Sequence, residues 1–596
     1  MERVADYIIR KVYEAGADDV FFIAGRGILY LTDALAKNKK LSPIATYHEQ
    51  GASYAAMAYA GAREGIAACL VSTGCAATNA VTACLCSYQD NLPVVFISGN
   101  NPLKENVRHT KAPIRTYGAQ EADIISVVSS ITKYAVMLED ASRVVCEVEK
   151  ALYLAQNGRR GPVWIDVPLD VQNMRLDESE QQHYIPECSV KHDIDSAVKA
   201  VVEALNDAHR PTILVGGGAR GAAKIIQELS IRCNIPCVSS PAGCDIYGAG
   251  NELSIGTVGS IGGSRAGNFA VQNSDYILSI GSKLCSQLTG VQEKFAREAK
   301  VIAVDVDENE HKKSGVVDEV VHCDSKVFLS KLLKCDLIRH TDDWAKKCLH
   351  WKKIFGISKE AFVQDLIKYN QLDLYSLMDM LSPILPDDAT VITDAGFEEL
   401  IVPSAVRYQG GQRCLFPATQ GAMGYAIPAI IGAHAAGRKH IVCIVGDGSI
   451  MMNMQELQII ASMKIPAKIF VINNNMYAVI RKRQRDLFRN RTIGNDPSDG
   501  LVKPDFYKMA AYFGISYRLI KDRADFFNYL SAVSFDESFD EIEMNEIVST
   551  PEQKYLHESY ALNENRKVVH RPIEDMAPFL SRALIKEEMI VPMMEE

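Results

Sequence analysis

Ile441-Val442-Cys443-Ile444-Val445-Gly446-Asp447-Gly448-Ser449, answered by Ala467-Lys468-Ile469-Phe470-Val471-Ile472-Asn473-Asn474, decides the fold of this chain. Both runs are nearly unbroken apolar stretches rich in β-branched residues. That is the pattern of strands buried on both faces of a parallel sheet, not of a half-exposed hairpin. Between them lies room for one helix, which the sequence places from near Asn453, so the unit reads β-α-β. Open α/β sheets bind ligands at the carboxyl ends of their strands, where Asp447 and Asn474 stand. Gly446 and Gly448 allow close backbone approach, and the N–H groups of the turn can face a phosphate. Asp447 supplies a hard oxygen and Asn474 an amide oxygen, which suits magnesium, an ion that takes few protein ligands beside phosphate oxygens. Taken singly, a Gly-Asp-Gly turn is a turn and an Asn pair is a loop. The joint spacing, with a strand before each, carries the metal reading.

Outward from this unit, 596 residues exceed what one hydrophobic core supports. Three α/β domains with doubly wound parallel sheets are expected, at residues 1–175, 190–340 and 370–596. In the first, strands are read at 19–23, 67–71 and 93–97, helices at 51–62 and 78–86, and a closing strand at 161–168. A polar linker spans 173–193. In the second, a strand at 212–215 runs into Gly216-Gly217-Gly218, with further strands at 276–280 and 301–305 and a charged helical connection over 326–368. The third adds a strand at 390–393. Its acidic stretch 536–546 reads as disordered on charge alone, but Ile542, Met544, Ile547 and Val548 make a last strand there.

The bulk composition excludes several functions. Hydrophobic residues make up 47% and charged residues 23%, as in ordinary globular proteins. A formal net charge of -10 argues against general binding to nucleic acid or anionic membrane. No apolar run approaches the ~18 residues of a membrane span. Val4, Ile8 and Val12 share one helical face between charges, which reads as an amphipathic helix and not a signal peptide. The 15 cysteines are scattered without metal-knuckle spacing, so reduced thiols in the cytoplasm are expected and no zinc site.

The stretch Gly446 to Tyr477 resembles the diphosphate-binding motif of thiamine-diphosphate enzymes. Over most of its length the chain resembles acetolactate synthase large subunits. Gly421-Ala422-Met423-Gly424-Tyr425-Ala426, His48-Glu49-Gln50-Gly51-Ala52, Thr78-Asn79, Asp90-Asn91-Leu92-Pro93, Gln120-Glu121 and the tail Arg571 to Met576 all fall in order. The resemblance implies a pyrimidine-binding N-terminal domain, a central domain and a diphosphate-binding C-terminal domain. It also implies thiamine diphosphate and Mg2+ as cofactors, held between two subunits of a homodimer or homotetramer. Glu49 would hydrogen-bond the aminopyrimidine ring nitrogen and so activate the cofactor. Met423 would wedge under it, and Gly421, Gly448 and Ser449 would meet its diphosphate. The carbonyl of Met476 would join Asp447 and Asn474 on the metal, and Gln120 would orient a carbonyl. The plain alternatives are a solvated loop end for Glu49, core filling for Met423 and a structural hydrogen bond for Gln120.

The implied reaction joins a 2-keto acid donor, pyruvate, to a carbonyl acceptor with loss of carbon dioxide. Departures from the family pattern bear on the acceptor. Cys75-Ala76 stands where a Pro-Gly pair is usual, Ala119 where a Phe is usual, and Phe397-Glu398 where a Gln-His pair would touch the diphosphate. The stretch Gly281 to Gly290 lacks the Arg and Asp that accompany FAD in the family, so FAD is less expected than not, although the glycine triplet is compatible with it. Arg481, Lys482, Arg483, Arg485, Arg489 and Arg491 crowd a segment just past Asn474. They read as a solvated face or as a grip on a phosphorylated acceptor such as a nucleotide-linked keto-sugar. A simple decarboxylase and an inactive regulatory or scaffold homologue remain as alternatives.

Overall fold

The computed structural model describes residues 1–111, 113–187, 193–533, 539–562 and 567–594. After an amphipathic helix, α1 (Val4–Glu14), which buries Val4, Ile8 and Val12, the first sheet is laid down. Its strands are β1 (Asp19–Phe22), β2 (Ser42–Ala45), β3 (Ala67–Val71), β4 (Val94–Asn100), β5 (Tyr134–Met137) and β6 (Val163–Pro168). They lie in the order β2-β1-β3-β4-β6-β5, every neighbouring pair parallel. The interior strands β3, β4 and β6 are buried along their whole length, which is why their sequences are apolar without alternation. Helices α2 (Glu49–Arg63) and α3 (Cys75–Asn79) follow β2 and β3.

The central sheet comprises β7 (Pro211–Val215), β8 (Cys237–Ser239), β9 (Ser254–Thr257), β10 (Tyr276–Ile280), β11 (Lys300–Asp305) and β12 (Glu319–His322). Its order is β9-β8-β7-β10-β11-β12, all parallel, the doubly wound order of dinucleotide-binding sheets. The third sheet has β13 (Thr390–Thr393), β14 (Arg413–Leu415), β15 (Ile441–Gly446), β16 (Ala467–Asn473), β17 (Ser516–Ile520) and β18 (Glu543–Val548). Its parallel order, β14-β13-β15-β16-β18-β17, repeats that of the first sheet. Its main helices for the site are α4 (Glu398–Ala405), α5 (Ala426–Ala435) and α6 (Ala478–Leu487). No helix among the described residues is long and apolar enough to cross a membrane.

Several sequence expectations are corrected in detail. The strand read as closing the first sheet is interior, and the edge belongs to β5. The helix expected near Asn453 starts at Leu457, after 3-10 turns over Ser449–Met452 and Met454–Glu456. The strand expected through Met544, Ile547 and Val548 is present as β18, while residues 536–538 of that acidic stretch lie outside the described residues. In the linker, Arg175–Leu176 pairs antiparallel with Glu2–Arg3, and residues 188–192 lie outside the described residues. The tail leaves the third sheet altogether: Ile573, Met576 and Ile585 join Leu214 and Ile277 in the core of the central one.

The first and third sheets meet through α2 and α5. One hydrophobic cluster contains Ala52, Ala55, Tyr59, Ile427, Ile431 and residues of both sheets. The alanines of α2 are buried all round because the sheet covers one side and α5 the other. Gly432 is the contact point, since a Cβ there would collide with the carbonyl oxygen of Ala55. Overpacking of this kind typically costs about 1–3 kcal/mol. Gly432→Val is therefore expected to lower the thermal midpoint by several degrees in scanning calorimetry, whereas Gly221→Ala, whose Cβ meets open space, is expected to leave it in place.

Candidate active site

Parallel register brings Gly446 opposite Ile472, so the turn after β15 and the loop after β16 leave the sheet side by side. The Asp447 N–H donates to the Ile472 carbonyl at 3.0 Å. Its carboxylate then accepts from the backbone N–H of Asn475 at 2.6 Å. Asn475 sits at φ +62, a left-handed turn that asparagine tolerates. Asn474 lies in the same turn, and its Oδ1 accepts from the Met476 N–H at 3.2 Å. Burial pushes Asp447 up to about 6, against the N–H groups of Asn475, Gly448 and Asn474, which favour its charge.

No lysine or arginine nitrogen lies within ion-pair distance of Asp447 among the described residues, and Asn475 Oδ1 is buried without a hydrogen-bond partner. The turn is thus rich in oxygen and poor in cations, which fits a divalent ion. Gly448 is obligatory, because a Cβ there would run into the Tyr477 ring.

The neighbouring crevice lies between the ends of β13 and β15. Strand β13 is first in this sheet and β15 third, with β14 on the far side of β13, so this is the topological switch point. Asp394 ends β13 and accepts from the Ser449 hydroxyl at 2.6 Å and from the Ala426 N–H at 3.2 Å. Ser449 in turn accepts from the Gly424 N–H at 2.9 Å. Its hydroxyl is therefore engaged in holding the two strand ends to the Met423 segment.

Glu398 and Glu399 form the first turn of α4. A Cβ on Gly396 would strike Glu398, one on Gly446 would stand 3.4 Å from it, and one on Gly421 would strike Glu399. Burial is the main reason Glu398 rises to about 8, with Asp394 and Asp447 adding repulsion, while burial and then Asp90 and Asp394 bring Glu399 to about 7.

Glu49 opens α2 and its Oε2 accepts from Asn79 Nδ2 at 2.9 Å. The turn before it is fastened to the third sheet, with Glu456 accepting from the N–H groups of Tyr47 at 3.2 Å and His48 at 3.0 Å. Burial pushes Glu456 up to about 7 against those two bonds. Asn453 Nδ2 donates to Gln50 Oε1 at 3.0 Å and to the Gly424 carbonyl at 2.8 Å, so one side chain ties the neighbour of Glu49 to the neighbour of Met423. Gln120 is exposed at φ +64, and its carbonyl packs on Gly74, at φ +62, where any Cβ would clash.

The nine residues read from the sequence fall into two groups. Gly421, Met423, Asp447, Gly448, Ser449, Asn474 and Met476 surround the β13–β15–β16 rim. Glu49 and Gln120 lie at the rim of the first sheet, and Asn453 ties Gln50, next to Glu49, to Gly424, next to Met423. Sequence reasoning gave no part to Asp394, Asn453, Glu456 or Glu399. A usable signal existed for Asp394, an acidic residue directly after a strand of β-branched residues that is buried throughout.

Comparison with known proteins agrees with this layout. Residues 2–126, 198–332 and 394–537 match the thiamine pyrophosphate enzyme N-terminal TPP binding domain, central domain and C-terminal TPP binding domain. An acetolactate synthase large subunit of Parasynechococcus marenigrum (strain WH8102) is 31% identical over 528 residues, 85% of this chain and 82% of that one. Acetolactate synthase of Arthrospira platensis is 29% identical, covering 87% of this chain and 89% of that one. Acetolactate synthase isozyme 1 large subunit of Escherichia coli (strain K12) is 27% identical, covering 87% and 90%. Three ordered domain matches and likeness over 85% of the chain place it in the thiamine pyrophosphate enzyme family, as a thiamine-pyrophosphate-dependent enzyme of the acetolactate synthase type.

Proposed function

We propose that the chain is a carboligase that takes a two-carbon unit from pyruvate with loss of carbon dioxide and joins it to a second carbonyl compound. The observation that carries this reading is the paired turn at Asp447 and Asn474, an anchor for a metal-bound diphosphate at the carboxyl ends of β15 and β16. Residues 1–175 would hold the pyrimidine end of the cofactor, and the third-sheet domain that begins near residue 370, without the tail, the diphosphate end.

Asp447, Asn474 and the Met476 carbonyl would ligate Mg2+. Gly421, Gly448 and the Ser449 N–H would face the diphosphate, and Met423 would support the bent cofactor. When bound, the cofactor supplies a carbanion and a cationic ring that stores charge. Glu49, held by Asn79, would bind the proton on the pyrimidine ring nitrogen, and Gln120 would orient a carbonyl oxygen. FAD is less expected than not, because Gly281 to Gly290 lacks the Arg and Asp that accompany it in the family, although the Gly216-Gly217-Gly218 turn is compatible with it. A homodimer or homotetramer in the cytoplasm is proposed; exposed Tyr47 and Tyr117, 61% and 63%, flank Glu49 and Gln120 as surface for a second copy.

Incubation with pyruvate, thiamine diphosphate and Mg2+ is expected to release carbon dioxide, and failure to take up the cofactor in equilibrium dialysis overturns the reading. Asp447→Asn is expected to abolish Mg2+-dependent cofactor uptake. Glu49→Gln should keep uptake and lose about 100-fold or more in turnover.

Glu398 also sets a pH dependence. Its carboxyl titrates near 4.5 when exposed and near 8 in the fold, so between these values the folded chain holds a proton that the unfolded chain has lost. Stability contributed by this group is therefore lost as pH rises from about 4.5 to 8, and the neutral acid can donate to a diphosphate oxygen at pH 7. In calorimetry the metal-free thermal midpoint should fall from pH 6 to pH 8, and Glu398→Gln should flatten that slope.

A further inference from the structure

The basic segment past Asn474 folds as α6, and Ala478, Arg481, Lys482 and Arg485 recur on one of its faces at helical spacing. That face lines a crevice of about 200 Å³ whose opposite wall is the loop 551–554 after β18 and whose floor includes Met476. Strands β16 and β18 are parallel neighbours, so the crevice lies outside the carboxyl ends of two adjacent strands, one position along from the Asp447 turn.

We propose that this crevice is a subsite for a phosphoryl group on the acceptor substrate. The inference rests on the carboligase reading above, which leaves the acceptor open. Four cations line the walls, Arg481, Lys482, Arg485 and Lys554, against two acids, Asp486 and Glu552, in a chain of net charge -10.

Their existing partners leave donors in hand. Arg481 uses only Nε, on Asp496 at 3.0 Å, and the Arg485 side chain makes no hydrogen bond among the described residues. Its ion pair with Glu552, at 3.5 Å with both side chains exposed, contributes little stability and is easily exchanged for a ligand. Lys482 is shared between Asp486 at 2.9 Å and Glu558 at 3.4 Å. A keto-acid carboxylate needs one cation, whereas two guanidinium forks and two ammonium groups match a phosphate dianion. The volume is below the ~300 Å³ of pockets that enclose a whole drug-sized ligand, so it suits a phosphoryl headgroup and leaves the remainder of the acceptor outside.

The test uses protein loaded with thiamine diphosphate and Mg2+, which occupies the other anion site. Inorganic phosphate is titrated calorimetrically into the wild type and into the Arg481→Gln/Arg485→Gln double variant, with cofactor uptake reporting folding. Arg485→Gln alone, on an exposed side chain, serves if the double variant does not fold. One phosphate per chain is expected in the wild type, with Kd raised about tenfold or more in the variant. Equal affinity in both proteins, or no phosphate binding to the wild type, overturns the proposal. A parallel titration with uridine diphosphate identifies the source. Displacement of phosphate points to a nucleotide-linked acceptor, and retention of phosphate points to a monophosphate. Failure of the wild type to load cofactor would sink the carboligase reading instead, and the phosphate titration would still decide the crevice.

Discussion

The crossing of α2 over α5 is the contact on which the remainder depends. Backbone meets backbone there, because Gly432 has no side chain to hold the helices apart and Ala55 presents only its carbonyl. Tyr54 and Tyr425 close the same seam edge to face, with ring centres 5.6 Å apart. Each helix begins at a candidate site segment, Glu49 opening α2 and Gly421 to Tyr425 leading into α5. Fixing the crossing therefore fixes the two rims relative to each other. Asn453 and Glu456 then refine the alignment by satisfying backbone groups at both helix starts. Neither residue is required by its own sheet; each serves the seam.

The electrostatics of the third rim follow from what the sheet buries there. A helix N-terminus over a glycine turn is a ready anion seat, since its first N–H groups have no intrahelical partner. In α4 the first turn brings its own carboxyls, Glu398 and Glu399, into that seat beside Asp394 and Asp447. Burial raises all four carboxyls, and at Glu398 and Glu399 the repulsion of neighbouring acids adds to it. A divalent cation, as proposed at Asp447, would offset that cost there. At the Glu398 side a proton does the same work, converting a repulsive group into a donor.

Legibility in the sequence followed burial. Strands covered on both faces, such as β3, β15 and β16, announced themselves as unbroken apolar runs. Edge strands were fainter: the sequence reads a strand over Ile44 to Tyr47, displaced from β2 because Ser42, Pro43 and Ala45 are exposed, and β17, which exposes most of its residues, carries no continuous signal. Without the edges, the shared order of the first and third sheets could not be read. Asp447 and Asn474 were legible because a strand end and a spacing define them locally. Asn453 and Glu456 were not, since their partners lie some four hundred residues away across the seam. Glu398 was visible only as a departure from the Gln-His pattern, and its meaning came from Gly396 and Gly446 beneath it.

The three sheets also explain where a ligand has room. Each has one switch point, and packing treats them differently. Between β1 and β3, Gly25 and Gly27 accept the side chains of Ser72 and Thr73 so closely that no Cβ would fit, and the Gly27 N–H donates to Ser72 Oγ at 3.1 Å. Between β7 and β10, Gly216 and Gly218 lie directly on Gly281. Between β13 and β15 the space is taken instead by Glu398, a side chain whose χ angles can turn it aside without disturbing the backbone. Equivalent topology supplies three equivalent crevices, and their fillers differ: the side chains of Ser72 and Thr73 in the first, the Gly281 backbone in the second and a movable acid in the third.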